Sequence, residues 1–587
     1  MPLIVAREVP PDRVAALTAS GVPPLLARVY AARGIASARE LAAEFEHLAT
    51  PDAMLNLREM AARLADAIAA RRKLLIVADY DADGATACAV GMRALRALGA
   101  SVEYLVPNRF EYGYGLTPEI VRLAHERFQP DILLTVDNGI SSIEGVAEAN
   151  RLGMATLISD HHLPGERLPD ATCIINPNQP GCPFPSKNLA GVGVMFYLML
   201  ALRAELRDRG AFGPREKGKG KREKEDPSLV TRHSSPGSNE PNLGELLPLV
   251  ALGTVADVVP LDQNNRILVQ QGLARTRAGR MPPGMAALFR VAGRDPRRVT
   301  ARDLGFALGP RLNAAGRLED MALGIECLVT DDAGRALAIA TELDRLNRDR
   351  RDIQSGMQEE ALAAVEAQDF GDSYTLALFD PSWHQGVVGI VAGRIKDRFH
   401  RPAIAFARAS DGEIRGSGRS IPSLHLRDAL DQVAVRNPGL ILKFGGHAAA
   451  AGLTLRESGF GRFRAAFEET ARRLLSPGDL ERVIETDGAL APADCTLEMV
   501  ELLSRPVWGQ GFPPPRFCDE FEVASQRIVG GKHLKLVLAH GESRIEAMHF
   551  FHSESAPRRI RAVYTPGINE YNGRTTVQFN IEQWEEA

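Results

Sequence analysis

The run KLLIVADYDADG, Lys73 to Gly84, decides how the fold is read. After Lys73 its first residues are apolar and partly β-branched, which suits a short strand buried on both faces. Three aspartates at alternate positions follow (Asp79, Asp81 and Asp83), and beyond Gly84 a helical pattern covers 85–98 and stops at Gly99. Outward from this run the alternation continues through Val102–Val106, Pro118–Phe128, Ile132–Val136, Ser142–Leu152 and Ala155–Ile158. Strands alternating with helices of this length predict a mainly parallel α/β sheet. Such sheets carry their sites at the carboxyl ends of the strands.

Those strand ends are unusually acidic. After the aspartates of the first strand come Asp137-Asn138-Gly139 and Asp160-His161-His162, and Asp257 lies in TVADVVP (Thr254–Pro260). Carboxylates gathered at one sheet edge repel each other unless cations neutralise them. Hard oxygen ligands with one imidazole suit Mn²⁺ or Mg²⁺ better than a thiolate-preferring metal. An EF-hand loop is a poorer match, because Val90 occupies the position that requires a bidentate Glu. A haloacid-dehalogenase type of phosphatase needs Thr or Val where Ala85 stands. Helix capping accounts for any one of these aspartates, but poorly for all four groups together.

The chain has 587 residues, enough for three or four domains. Its 70 Lys and Arg against 74 Asp and Glu give a net charge of -4, so a nucleic acid would have to be met by a local groove. Six scattered cysteines with no C-x-x-C pair argue against a disulfide scaffold or thiolate zinc site, and for a reducing compartment. The start, MPLIVAREVPPDR, lacks the apolar stretch of a signal peptide. The longest uncharged apolar run, Leu189–Leu202, is short of the ~20 residues that span a bilayer and reads as a buried helix. These features predict a cytoplasmic protein with no membrane segment.

Residues 1–70 read as a helical lead-in and 71–330 as the catalytic domain. Within the latter, 213–241 are polar and charged, then rich in Ser, Pro and Gly, and predict a disordered insertion. A long polar helix over 331–370 connects to a second α/β domain over 371–475. Short alternating runs in 480–587 (HLKLVLA, RIEAMHFF, RIRAVYTP, TTVQFNIEQW) suggest a small OB-like β-barrel. Eight Lys and Arg balance eight Asp and Glu over 521–587, so a nucleic-acid groove there needs segregated charge. Its candidates include Lys532, His533, Lys535, Arg558, Phe550 and Tyr564. With the metal candidates before 260 and the phosphate donors before 450, a chain ending near 475 is expected to keep the catalytic apparatus.

DYDADG, TVDNG, DHH and ADVVP, in this order, resemble the DHH phosphoesterase superfamily, and within it the bacterial exonucleases specific for single-stranded DNA. RLNAAGR (Arg311–Arg317), WHQGVVG (from Trp383), GSGRS (Gly416–Ser420) and GGHA (from Gly445) extend the resemblance, the later ones into a DHH-associated domain. It implies a two-metal site. One metal would take Asp81 and Asp137; the other would take Asp83, Asp137, His161 and Asp257. Asp79 and Asp160 would orient ligands, and His162 would donate to the phosphate during catalysis. Val77 stands where the superfamily usually has a further histidine, which would leave the first metal with fewer protein ligands.

Gly445 and Gly446 leave backbone N–H groups open to a phosphate, with His447 as a further donor. Arg109, Arg311, Arg317 and Arg419 with Ser420 suit phosphate oxygens, because guanidinium binds two at once. Trp383 and His384 suit either core packing or base stacking. The activity implied is release of mononucleotides from the 5′ end of single-stranded DNA by a monomer, in repair and recombination. Single-stranded-DNA-binding protein and a helicase would be its partners. A DHH phosphodiesterase acting on short oligonucleotides or cyclic dinucleotides, and an inactive scaffold, are the alternatives.

Overall fold

A computed structural model describes residues 2–108, 112, 115–212, 239–366, 372–409, 412–541, 543–571 and 573–587. Arg109 and residues 213–238 lie outside this set. The chain divides into two compact units, Ala6–Asp344 with Thr486–Ala587, and Met1–Val5 with Arg345–Glu485.

The lead-in opens on a strand, β1 (Leu3–Ala6), and only then turns helical. Next comes a five-stranded sheet of β2 (Lys73–Ala78), β3 (Ser101–Leu105), β4 (Ile132–Val136), β5 (Ala155–Ser159) and β6 (Cys173–Ile175). Its order is β3-β2-β4-β5-β6 and every pairing is parallel. β2 and β4 are central and almost wholly buried, as their unbroken apolar sequences require. The uncharged run forms the start of helix Gly191–Asp208, buried over most of its length. Near its end Arg203 and Arg207 pair with Glu240, so the last residues of the 213–241 segment are anchored to this helix. Among the described residues, no helix is long and apolar enough to cross a membrane.

The polar helix runs from Ala333 to Glu366. In the second unit, β7 (Leu376–Phe379), β8 (Ala403–Arg408), β9 (Glu413–Arg419), β10 (Lys443–Gly446) and β11 (Ala450–Arg456) order as β10-β11-β9-β8-β7. β10 and β11 form a hairpin that the Gly-rich sequence concealed. β12 (Val483–Thr486) pairs with β1.

The tail is a closed barrel of β13 (Phe517–Val529), β14 (His533–His540), β15 (Ser543–His549), β16 (Arg559–Tyr571) and β17 (Arg574–Glu586). It shares a unit with the first sheet, and the segment leading into it is built into that unit. Asp487 accepts from Arg33 at 2.7 and 3.0 Å and from the Arg516 backbone N–H at 2.9 Å. Both carboxylate and guanidinium are almost fully buried. Trp508 and Phe512 stack on each other and against Tyr30, and Arg266 lies 4.4 Å over the Phe512 ring. A chain ending near 475 would strip all of these contacts, so the tail is not a detachable module. Asp487→Ala leaves Arg33 buried without its counter-ion. It should lower stability by about 3–5 kcal/mol in urea unfolding, the usual cost of breaking such a pair.

Candidate metal centre and active site

The strand ends converge as the alternating pattern demands. Asp79 follows β2, Asp137 follows β4 and Asp160 follows β5, so parallel register alone brings them to one edge. Asp81 caps helix Ala82–Ala97, accepting from the backbone N–H groups of Asp83 and Gly84. Asp257 arrives from elsewhere, at the C-terminal end of helix Leu247–Ala256. Two backbone positions beside the cluster are left-handed: Asp137 at φ 62° and Val258 at φ 63°. Side chains rarely hold that conformation, and it clusters at functional sites.

His161 Nε2 lies 3.1 Å from Asp137 Oδ1, 3.5 Å from Asp257 Oδ2 and 4.0 Å from Asp83 Oδ2. Three of these atoms (Asp137 Oδ1, His161 Nε2 and Asp257 Oδ2) are buried without any hydrogen-bond partner. Burial lowers the His161 pKa, which favours the neutral imidazole. Its Nε2 then faces carboxylate oxygens with no hydrogen bond made, an arrangement that a shared cation relieves. The carboxyl groups show the same need. Burial, then the charge of neighbouring aspartates, pushes Asp83 and Asp257 up to about 7 and Asp137 well above the carboxylate range. Asp83, His161 and Asp257 make one group able to hold a metal ion; Asp79, Asp81 and Asp137 make a second. The residues therefore fit a pair of hard divalent cations.

Asp160 is hydrogen-bonded through both carboxylate oxygens. Its Oδ1 accepts from the backbone N–H groups of His161 and His162 and lies 2.8 Å from His162 Nδ1. Oδ2 accepts from the Ile140 N–H. Burial works against a charge on His162, but the hydrogen bond and charge of Asp160, with Asp79, outweigh it and raise the imidazole to about 9.

Glycines and asparagines that sequence reading passed over complete the cradle. Gly191 and Val192, in the first turn of their helix, donate their N–H groups to Asp83 at 2.6 and 2.9 Å. A Cβ on Gly191 would lie 2.6 Å from Asp137 Oδ1 and 2.7 Å from its Cβ. Asn138 fixes the turn after β4 by donating to the Val77 and Val136 carbonyls. Asn313, in RLNAAGR, accepts from the Ala82 N–H beside Asp81. The A-G-V-G spacing at 190–193, at the opening of a buried helix, was the available signal. Gly191→Ala should cut turnover by about 10²-fold, the scale of an ångström-sized misplacement of a reacting group. Gly356→Ala is the control: its Cβ meets nothing within 4 Å, so it should leave turnover unchanged and add up to about 1 kcal/mol of stability.

The remaining candidates divide. Arg311 is buried, and its guanidinium is turned to Asp344 (2.8 and 2.9 Å) and the Ala307 carbonyl. The structure thus gives it an anchoring pair where a phosphate donor was expected. Arg317, half-buried on the same helix, Gly309–Leu318, lies six residues further on. Trp383 is 6 % exposed in the core of the second unit, and its indole N–H donates to Glu360. Of the two readings open to it, core packing holds, because no ring face is left for a base. His384 lies in the turn that leads into helix Val388–Phe399, where its carbonyl accepts from the Val387 and Val388 N–H groups.

The structure gathers the glycine-rich motifs of the second unit. Ala450 pairs with Arg419, and Gly446 with Ala451. Arg419 and Ser420 therefore share one corner with Gly445, Gly446 and His447. A Cβ on Gly389, from the WHQGVVG motif, would touch Ser417 and Arg419. Gly446 has φ 140° and would clash with Ala450 if it carried a side chain. The Ser420 hydroxyl is buried without a hydrogen-bond partner. On the barrel, Lys535, Arg558, Arg559 and Arg561 pair with acidic residues, and Tyr564 is core. Phe550 and Phe551 are exposed and meet His533 edge-on.

Comparison with known proteins identifies the family. Residues 73–219 match the DHH family, N-terminal domain; 371–473 match the DHHA1 domain; 486–583 match the RecJ OB domain. The chain is 48 % identical over 573 residues to the single-stranded-DNA-specific exonuclease RecJ of Dickeya dadantii, covering 96 % of each. The crystal structure of Thermus thermophilus RecJ in complex with Mn²⁺ superposes with a TM-score of 0.81 at 28 % identity, covering 100 % of this chain and 79 % of that one. The Mg²⁺ complex of the same protein gives 0.75 at 27 % identity, covering 100 % and 78 %. At this identity and coverage, the chain belongs to the RecJ family.

Proposed function

We propose that this chain is a metal-dependent exonuclease that releases mononucleotides from the 5′ end of single-stranded DNA, in DNA repair and recombination. The observation that carries the reading is the set of buried atoms with no hydrogen-bond partner, on His161, Asp137 and Asp257, inside a ring of carboxylates. The metal-bound Thermus relatives and the single-stranded-DNA-specific relatives support it.

Asp83, Asp137, His161 and Asp257 would hold one cation, and Asp81 with Asp137 the other, Asp79 completing or orienting that second set. Bound there, the cations would activate water and neutralise charge on the scissile phosphate. The protein's own groups do the rest. Asp160 holds His162 as a cationic donor for the phosphate oxygen on which charge grows. The helix N-terminus at Gly191 keeps Asp83 fixed by two backbone donors. In the second unit, Arg419, Ser420 and the Gly445–His447 turn would take a substrate phosphate. The enzyme would act as a cytoplasmic monomer, with single-stranded-DNA-binding protein and a helicase as partners.

The test is a 5′-labelled single strand, its duplex and a dinucleotide, each given to the purified protein with Mn²⁺. Labelled mononucleotide from the single strand, with the duplex resistant, is expected. Preference for the dinucleotide would make it a small-substrate phosphodiesterase, and no hydrolysis of any of the three would make it a scaffold.

A further inference from the structure

One exposed aromatic side chain, on a turn packed against the helix that delivers Asp257, is not used by the chemistry above. Phe306 is 75 % exposed, while the neighbouring Leu304, Ala307 and Leu308 are buried. It sits on a π-helical turn, Leu304–Leu308, a local geometry that is rare and frequent at functional sites. This turn packs on the last turn of the helix that delivers Asp257. A Cβ on Gly305 would lie 3.1 Å from Val255 Cγ1, and one on Gly309 3.1 Å from Ala256 Cβ. The helix that follows returns to the first aspartate loop through Asn313, and a Cβ on Gly316 would lie 2.1 Å from the Tyr80 carbonyl oxygen. Phe306 is thus carried by the segment that links Asp257 to Asp81 and Asp83.

Two further apolar side chains are exposed immediately after residues of the proposed site: Leu163 beside His162, at 63 %, and Val258 beside Asp257, at 62 %. An isolated exposed hydrophobe needs no explanation. Here a large aromatic projects from a π-helical turn packed on the helix that delivers Asp257, Val258 just after that aspartate holds a left-handed backbone, and Arg302 stands 6.0 Å over the Phe306 ring. A phosphodiester lying over carboxylates and histidines brings its nucleobases with it, and these have apolar faces. An exposed ring accompanied by a guanidinium suits such a face, since stacking and cation–π attraction act together.

We infer that Phe306 is a stacking platform for an unpaired nucleobase next to the scissile phosphate, and that it contributes to selectivity for single strands. The inference rests on the proposed exonuclease reading. In a duplex both faces of an internal base are already stacked and its edge is paired, so the platform gains a base only from a single strand.

The experiment is a cycle between protein and substrate. Short single strands carrying one abasic nucleotide, moved stepwise from the 5′ end, are bound to protein in which Asp137→Asn blocks cleavage, with Phe306 intact, as Phe306→Ala or as Phe306→Tyr. At one position the abasic change should weaken binding about tenfold with Phe306 intact, the scale of one stacked base. It should have no effect in Phe306→Ala and regain its effect in Phe306→Tyr. In the cleaving enzyme, Phe306→Ala should raise KM for single strands by a similar factor and leave kcat within about twofold. Because the side chain is exposed, thermal unfolding should not move, so a folding defect is visible separately. Equal affinity of the proteins with Phe306 intact and with Phe306→Ala at every position would overturn the platform, as would a loss unaltered by the abasic nucleotide. Failure of the wild-type chain to hydrolyse any single strand would instead sink the exonuclease reading beneath it.

Discussion

Asp137→Asn is expected to reduce hydrolysis of single-stranded DNA by at least about 10³-fold while the chain stays folded. Asparagine is the informative replacement, because it keeps the size of the side chain and tolerates the left-handed φ of 62° better than alanine. What it removes is charge on the carboxylate that groups with Asp79 and Asp81 and whose Oδ1 lies 3.1 Å from His161 Nε2, the residue proposed above to serve both cations. Losing a bridge dismantles a metal pair, and with it the stabilisation of both attacking and leaving oxygens. The stability change should have an unusual sign. In chelator, Asp137 is a buried carboxyl pushed well above its usual range by burial and by Asp83, Asp81, Asp79 and Asp257. Neutralising it relieves repulsion, so the variant should melt no lower than the parent. With saturating Mn²⁺ the order should reverse, because the parent gains about 2.7 kcal/mol at a hundred times its Kd and the variant much less. Thermal melts in chelator and in Mn²⁺ read both signs; substantial activity in Asp137→Asn would refute the shared-ligand assignment.

His162→Ala should slow turnover by about 10²–10³-fold and leave Mn²⁺ binding in place. The ring is held by Asp160 through Nδ1 at 2.8 Å, and Asp160 is itself locked by three backbone N–H donors. Such a rigid imidazole is preorganised to meet developing negative charge, and one donor of that kind contributes on this scale. The distinguishing measurement is calorimetric. His162 also lies within ligand distance of Asp137 and His161, so lost metal affinity in His162→Ala would make it a ligand and not a donor.

Much of this site could be read from local sequence, since it obeys local rules. Parallel strands followed by helices end at one edge, so Asp79, Asp137 and Asp160 had to meet wherever the rest of the chain went. Side chains whose role depends on a distant partner could not be read. Arg311 has the motif of a phosphate donor, yet Asp344, on a helix 33 residues away, captures it. Trp383 could have been a platform until Glu360 and the apolar residues around it were seen to enclose it. Gly191 looked like any small residue before a helix, because its function is the space it leaves beside Asp137.

By itself, then, the sequence determined the two α/β sheets, the connecting helix, the barrel and the candidate ligands, since hydrophobic period and strand-end chemistry act within a few residues of each other. Tertiary structure alone decided which of those groups lack hydrogen-bond partners, and therefore need a cation, because burial and satisfaction of a polar atom depend on the whole packed environment. It also decided that the tail is part of the catalytic unit. The Arg33–Asp487 pair joins residues 454 positions apart, and no sequence window spans that distance.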